Sequence, residues 1–199
     1  MTPRDDLDEA RALWDTEAAT FDEAPDHGLR DDRVREAWRT LLIGVLPPAP
    51  ARIADLGCGT GTLSLLLADA GFTVDGVDLS PEMVRRAEAK AAGRAGARFV
   101  EADASAPPLA PASYDVVVCR HVLWAMPDPA ATLQRWIDLL VPDGRLVLVE
   151  GRWFNGAGLS AAETVALVEG AGRTARLTRL PEAAYWGREI DDERYLVLG

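Results

Sequence analysis

Two periodicities of apolar and polar positions divide the chain. Apolar side chains recur at helical spacing in two leading segments, 7–21 and 31–46. After Pro47 the pattern changes to short apolar runs that alternate with helical stretches. Such alternation is typical of strand–helix–strand units that build a parallel sheet. The sequence therefore predicts an α/β protein that begins with two amphipathic helices, joined by the break in "DEAPDHGLR".

Seven segments read as strands, and four sites between them carry helix signals. A helix is predicted over 62–70, and Ser80 with Pro81 and Asp128 with Pro129 each start another. The helix after Asp128 is expected to bury one face from Leu133 to Leu140. The "SAAE" at 160–163 is a capping box that opens a helix to about Glu169. The predicted strands are 52–56, 73–78, 97–101, 114–120, 145–150, 174–180 and 194–198.

Length and charge limit the classes of function. The 199 residues fit one domain, with 1–46 as leading helices, 51–150 as a cofactor-binding core and 151–199 as a tail of helix and strands. The formal net charge of −11 argues against a nucleic-acid partner, because such proteins need a basic surface to displace counterions from phosphate. No apolar run approaches the ~20 residues of a membrane span, and the sequence carries no signal of an oligomeric state. A small molecule is the expected partner.

The cysteines and the first residues predict a cytoplasmic protein without a metal. Cys58 and Cys119 have no metal-ligand spacing, and only two histidines accompany them. The polar start "MTPRDDLDEA" does not resemble a secretory signal. We therefore expect both thiols to be reduced and no metal site.

The stretch "DLGCGTG", residues 55–61, is the strongest local motif. A predicted strand ends near Asp55, and a predicted helix begins at Thr62. Glycine allows a sharp turn and lets a ligand approach the main chain closely, and a helix N-terminus follows. Three alternating glycines favour a ligand over a simple tight turn. Dinucleotide-binding loops use a related G-x-G-x-x-G pattern, but residue 62 is threonine where that pattern has its third glycine.

The complete set of motifs resembles the class I methyltransferases that use S-adenosylmethionine. The motifs are D-x-G-x-G-x-G, "VDGVDLSPEM", "EADA" and "YDVVVCRHVLW", and the resemblance covers about 51–150. It is closest to the small-molecule branch called type 11 or UbiE-like. The resemblance implies a Rossmann-like methyltransferase fold, with a seven-stranded, mostly parallel sheet whose antiparallel last strand is inserted between strands five and six. It also implies that the N-terminal helices form a lid.

The resemblance also assigns roles in binding S-adenosylmethionine, whose product is S-adenosylhomocysteine. Asp55 orders the loop and reaches the amino-acid end of the cofactor, and Asp78 accepts hydrogen bonds from the ribose hydroxyls. Asp103 and the Ala104 N–H contact the adenine, which Leu79 and Met83 cover. The Arg120 carbonyl receives the ammonium group. The cofactor-binding residues expected in this way are Asp55, Gly57, Gly59, Gly61, Asp78, Leu79, Met83, Asp103, Ala104 and Arg120.

The acceptor side is defined less sharply. His121 follows the fourth strand and is the candidate general base, with packing as the alternative. His27, Phe21 and Arg33 belong to the predicted lid; His27 is a substrate-contact candidate, and Arg33 a partner for the cofactor carboxylate. Trp124 and Trp153 are candidate pocket walls, together with Phe154 and Trp186.

These features predict methyl transfer to a small acceptor at an oxygen, nitrogen or carbon atom. The N-P-P-[YFW] tetrapeptide of relatives that methylate nucleic-acid or glutamine amides is replaced by "RHVLW". An NAD(P)-dependent oxidoreductase on a related fold remains an alternative. So does a protein that binds the cofactor without catalysis.

Overall fold

The computed structural model describes residues 3–199, which form a single sheet with helices on both faces. Two short 3-10 turns, Phe21–Glu23 and Leu123–Ala125, complete the regular structure. The helices are α1 Pro3–Glu17, α2 Pro25–Gly28, α3 Asp32–Val45, α4 Thr62–Asp69, α5 Pro81–Ala91, α6 Pro129–Ile137, α7 Ala161–Gly170 and α8 Ala183–Trp186. The strands are β1 Arg52–Leu56, β2 Thr73–Asp78, β3 Ala97–Glu101, β4 Tyr114–Arg120, β5 Leu140–Arg152, β6 Arg176–Arg179 and β7 Glu193–Leu198.

The strand order is β3-β2-β1-β4-β5-β7-β6. Strands β1 to β5 pair in parallel, and β7 runs antiparallel to both of its neighbours, β5 and β6. The predicted fold class is confirmed, including the last strand inserted between the fifth and sixth. The order reverses between β1 and β4, so their carboxyl ends flank the crevice where ligands bind in such sheets.

Two apolar layers sandwich the sheet. On one face, α3 and α4 pack through Trp38, Leu42 and Leu67. On the other face, α6 and α7 pack through residues that include Trp136 and Val168. Because both faces are covered, the central strand β4 is buried continuously from Val116 to Cys119. The sheet core therefore fixes the strand ends rigidly.

Local sequence patterns predicted the positions of most helices and strands, with several exceptions. Strands β1 to β4 have the predicted bounds, and Ser80, Asp128 and Ser160 cap the helices that they start. The prediction that Leu140 continues the buried face of α6 is wrong, since α6 ends at Ile137 and Leu140 pairs with Tyr114 as the start of β5. Strand β6 is shorter than predicted. Of the helices in residues 3–199, none combines the length and apolar composition needed to cross a bilayer.

The leading helices also differ at their ends. Helix α1 ends at Glu17, four residues before the predicted end, so Phe21 lies in a 3-10 turn. The break between the leading helices contains the four-residue helix α2. Pro25 begins α2, and Leu29 ends it in the left-handed conformation. This compact segment, residues 21–29, returns toward the carboxyl edge of the sheet, and we call it the lid segment.

Candidate functional site

The three glycines of the loop after β1 all have positive φ. At each of them, a different neighbour occupies the space that a side chain would fill. A Cβ on Gly57 would lie 2.3 Å from the Val122 side chain, and one on Gly61 would lie 2.8 Å from Ala87. A Cβ on Gly59 would meet only the lid segment, 3.1 Å from the Phe21 ring. Two glycines therefore allow close packing within the protein, whereas Gly59 presents bare main chain toward the lid.

Two buried carboxylates hold this loop. Asp55 accepts a hydrogen bond from Ser64 Oγ at 2.5 Å, and burial raises the pKa of Asp55 to about 6. Asp78 accepts from the Gly59 N–H at 2.7 Å and from the Ser80 N–H at 3.0 Å. Burial raises the pKa of Asp78 although both N–H donors oppose that shift. The predicted ribose-binding carboxylate thus lies directly against Gly59.

The other predicted cofactor residues lie at the ends of β2 and β3. Met83 is buried in α5, and the Leu79 carbonyl accepts from Arg11 Nε at 3.4 Å. Asp103 accepts from the N–H and the hydroxyl of Ser105, both at 2.7 Å. The Ala104 N–H follows in the same turn. Leu79, Asp103 and Ala104 lie at the same edge of the sheet as Asp78. Both oxygens of Asp103 accept hydrogen bonds within its own turn.

The lid segment lies on the glycine loop. His27 stacks on Phe21 with ring centroids 4.3 Å apart, and Phe21 covers Gly59. Asp22 accepts from Thr60 Oγ1 at 2.5 Å and pairs with Lys90 Nζ at 2.7 Å. Burial acts to raise the pKa of Asp22, yet it lies below its ordinary value because Lys90 and Thr60 bond to the carboxylate. Sequence reasoning missed the Asp22–Lys90 pair, whose one signal was that Lys90 is the only lysine.

The structure does not bring Arg33 to the cofactor side. Its exposed side chain lines an open groove of about 490 Å³ between α3 and α8. Arg120, predicted only for its carbonyl, instead extends its guanidinium 5.1 Å from the Trp38 ring and donates to the Asp26 carbonyl. Burial lowers the pKa of Arg120, whereas Asp26 and Asp55 act to raise it. Arg120 therefore links β4 to the lid segment.

His121 lies at the end of β4 in a strained conformation. Its φ is +63°, uncommon for a residue with a side chain, and its N–H donates to the Val149 carbonyl at 2.8 Å. The imidazole stacks on Trp186 at 5.8 Å and meets Trp153 edge-on at 5.2 Å. Burial, followed by the charges of Arg120 and Arg194, lowers the pKa of His121 well below its ordinary value. The imidazole is therefore neutral at physiological pH, and the same burial and charges make it a weaker base than a free imidazole.

The only two histidines of the chain meet beside Asp26. One ligand-type atom from each of Asp26, His27 and His121 lies within 4.8 Å of the other two. Such a set suits a transition metal, but the charges of Arg120 and Arg194 reach both imidazoles and oppose a cation. The cluster suits an anionic or neutral partner better. That the protein holds no metal stays a prediction.

Tryptophans surround His121. Trp124 Nε1 donates to the His121 carbonyl at 3.0 Å, and its ring lies 5.4 Å from Trp153. Trp153 and Trp186 contact the imidazole directly. Phe154, in contrast, is 86% exposed and contributes no wall. Trp124 and Trp153 thus lie beside His121, and their role as pocket walls stays a prediction.

Glu150 is a buried acid that sequence reasoning missed. It ends the apolar run of β5, and its Oε1 accepts from the N–H groups of Val122 at 3.1 Å and Leu123 at 2.8 Å. Burial raises the pKa of Glu150 to about 8, against the effect of these donors. Glu150 therefore fixes the loop that follows His121. Its one signal in the sequence was an acidic residue at the end of an apolar run, and the buried Cys119 thiol also donates to its Oε1 at 3.7 Å.

Comparison with known proteins identifies the family. Residues 54–148 match the family model described as a methyltransferase domain. This segment, just under half of the chain, is a methyltransferase domain. The resemblance seen in the sequence motifs is thereby confirmed at the level of the family.

Relatives of this methyltransferase domain include named enzymes. Trans-aconitate 2-methyltransferase of Streptomyces avermitilis is 43% identical over 105 residues, 51% of this chain and 39% of that protein. A ubiquinone biosynthesis O-methyltransferase of Xanthomonas euvesicatoria is 33% identical over 150 residues, 72% of this chain and 59% of that protein. The chain thus spans only part of the length of the curated relatives it matches.

A solved structure shows the same fold over nearly the whole chain. Magnesium protoporphyrin IX methyltransferase from Synechocystis, crystallised with bound S-adenosylmethionine, superimposes with a TM-score of 0.71 at 24% identity. The match covers 97% of this chain and 96% of that one. At this identity the match shows the shared fold alone.

Proposed function

We propose that this protein transfers a methyl group from S-adenosylmethionine to a small-molecule acceptor, at an atom that carries a removable proton. The observation that supports it most is the arrangement at one sheet edge. Bare main chain at Gly59, the Asp78 carboxylate and the neutral imidazole of His121 all lie at the carboxyl ends of β1, β2 and β4. The family match over residues 54–148 supports the same function.

The residues at β1 and β2 fit the cofactor. A buried carboxylate beside bare main chain accepts two ribose hydroxyls, and Asp78 already accepts two N–H donors at its oxygens. Asp55, Gly57, Gly59 and Gly61 shape the loop around the amino-acid end. We propose Leu79, Met83, Asp103 and Ala104 for the adenine, and the Arg120 carbonyl for the ammonium group.

The lid segment must move for this site to fill. Phe21 covers Gly59, and Asp22 bonds to Thr60 in the loop. Phe21 and Asp22 are half-buried where they contact the loop, whereas Leu29 at the end of the segment is buried in the core, so opening is proposed for the part near Phe21 and Asp22. Phe21 and His27 are then proposed to close over the bound molecules and to exclude water.

When bound, S-adenosylmethionine supplies a methyl group on a sulfonium, whose sulfur leaves as a neutral thioether. His121 takes the proton from the acceptor atom as that atom forms its bond to the methyl carbon. The imidazole then holds the proton that the acceptor has lost. Positioning by the tryptophans contributes through proximity, and the base contributes ~10²–10⁴-fold.

The test uses purified protein and methyl-labelled S-adenosylmethionine with a panel of small hydroxyl, amine and carbon acids. We expect label to move to at least one acceptor and S-adenosylhomocysteine to form in equal amount. Label that moves to no acceptor, in a protein that binds S-adenosylhomocysteine, would favour the cofactor-binding module. Tight binding of NADH with none of S-adenosylhomocysteine would favour the oxidoreductase. The cytoplasmic location and the absence of nucleic-acid and membrane partners remain part of this proposal.

A further inference from the structure

Arg194, at the start of β7, occupies an unusual position beside His121. Its guanidinium lies between two indoles, 5.3 Å from the Trp153 ring and 4.9 Å from the Trp186 ring. Only 7% of the residue is exposed. The side chain crosses β5 at Gly151, where a Cβ would lie 2.5 Å from Arg194 Cδ. Glycine at 151 therefore makes room for this arginine.

A second glycine, Gly158, makes room for the Trp153 ring. A Cβ on Gly158 would lie 2.4 Å from the Trp153 ring. Arg152 bridges to Gly158, which turns the loop back so that Trp153 lies over the strand ends. Two glycines thus admit the arginine and one of its two aromatic neighbours. The arrangement combines a buried cation with flat apolar walls.

The polar atoms of this cluster are incompletely paired. Arg194 Nη2 bonds to Asp192 Oδ2 at 2.8 Å, and both side chains are at least nine-tenths buried. Within residues 3–199, however, Arg194 Nε, Asp192 Oδ1 and His121 Nε2 have no hydrogen-bond partner. A buried polar atom left unpaired costs ~1–3 kcal/mol. These three atoms leave hydrogen-bonding positions that a bound molecule would fill.

The charge of Arg194 reaches the proposed base. Together with Arg120 it lowers the pKa of His121, and it also lowers the pKa of His27 on the lid segment. Because Arg194 and His121 contact the same two indoles, Arg194 lies on the acceptor side of the site. A cation there attracts an anionic part of the acceptor and stabilises negative charge on an oxygen next to His121.

We propose that Arg194 selects a planar, conjugated acceptor that carries a carboxylate, with the carboxylate directed to the unpaired Arg194 Nε and the ring beside Trp153 and His121. The acceptor class is an aromatic or enolic hydroxy acid, and the hydroxyl by His121 is the atom that receives the methyl group. This inference rests on the proposed function, because it concerns the acceptor of the same site. It adds a specificity-determining residue from β7, outside residues 54–148.

The alternative is that Arg194 is structural, pairing with Asp192 to anchor the start of β7. A structural arginine would affect the free energy of unfolding and would affect charged and uncharged ligands equally. A carboxylate-binding arginine affects only ligands that bear the anion. The difference between two matched ligands therefore distinguishes the two roles.

The experiment measures binding of 4-hydroxybenzoate, 4-hydroxybenzamide and cyclohexanecarboxylate by ligand-observed NMR, with and without S-adenosylhomocysteine. We expect 4-hydroxybenzoate to bind at least ten times more tightly than its uncharged amide and than the non-planar acid. Arg194→Gln should weaken 4-hydroxybenzoate at least tenfold and leave the amide unchanged. Arg188→Gln, an exposed arginine in the same connection, is the matched control and should change neither.

Arg194→Gln leaves Asp192 buried without its partner, so the variant Arg194→Gln with Asp192→Asn removes both charges together. It should show the same selective loss of 4-hydroxybenzoate. Equal binding of the acid and the amide by the unmodified protein overturns the proposal, as does undiminished binding of the acid by both variants. The titration without S-adenosylhomocysteine tests the acceptor site alone. Failure of S-adenosylhomocysteine to bind would contradict the proposed function and would leave this test of Arg194 intact.

Discussion

At the ends of β1 and β2 the candidate site is made of main chain, whereas at the ends of β4 and β5 it is made of side chains. The first region presents Gly59 and one carboxylate, Asp78. In the second region, His121 is surrounded by the side chains of His27, Arg194 and the tryptophans. The contrast suits a cofactor that is bound mainly through main chain and an acceptor that is selected by side chains.

The largest expected effect tests the side-chain region. His121→Asn removes the imidazole but keeps a residue type that tolerates φ of +63°. We expect kcat to fall ~10²–10⁴-fold with the acceptor found by the label screen, because a general base contributes that much. Affinity for S-adenosylhomocysteine should change less than threefold. An unchanged kcat would mean that His121 only packs against Trp186.

The next effect tests the main-chain region. Asp78→Ala should weaken binding of S-adenosylhomocysteine at least about 100-fold in calorimetry, since it removes two hydrogen bonds to a charged group, each worth ~1.5–3 kcal/mol. Asp78→Asn, which keeps the shape, should be intermediate. Thermal unfolding shows whether the loop stays folded without its bonds to Gly59 and Ser80. Unchanged affinity in a folded Asp78→Ala protein would contradict the assignment of the ribose.

A third pair of variants separates the glycines. Gly61→Ala places a Cβ 2.8 Å from Ala87 and within 2.8 Å of Phe99, so we expect it to cost about 2–4 kcal/mol of unfolding free energy. Gly59→Ala should cost only about 1 kcal/mol, for its positive φ, while it weakens S-adenosylhomocysteine at least tenfold. Urea unfolding and calorimetry measure the two quantities. Equal losses of stability in both variants would remove the distinction.

The smallest effect concerns Glu150, which supports the side-chain region. Its folded pKa of about 8 lies above its ordinary value, so the folded protein binds the extra proton. The stability from this group is present at low pH and is lost as pH rises through about 8. Glu150→Gln keeps an oxygen for the Val122 and Leu123 N–H groups and should be at least about 1 kcal/mol more stable than the unmodified protein at pH 9. At pH 4 the two proteins should unfold alike in urea, and an equal difference at both pH values would contradict this.

The sequence predicted a region well where a local pattern marks its elements. Strands β1 to β4 and the glycine loop are marked by local patterns, and they lie where they were predicted. The boundary between α6 and β5 was missed because Leu140 fits a helical face as well as the ladder with Tyr114. Tertiary pairing decided between the two, and no local pattern records it.

The acceptor side was harder to predict for a similar reason. His121 was found because it follows an apolar strand. Arg194 and Glu150 act through neighbours that are distant in sequence, as when Arg194 lies between Trp153 and Trp186. Arg33 was assigned by its place in the lid, yet the turn of α3 directs it away from Val34 and Trp38, toward solvent. Spacing alone does not reveal which long side chain reaches the site.

The most direct test of the central claim is a calorimetric titration of the unmodified protein with S-adenosylhomocysteine and, separately, with NADH. The bare loop at Gly59 and the carboxylate of Asp78 predict saturable one-to-one binding of S-adenosylhomocysteine and no binding of NADH. Saturable binding of NADH without any of S-adenosylhomocysteine would contradict the account.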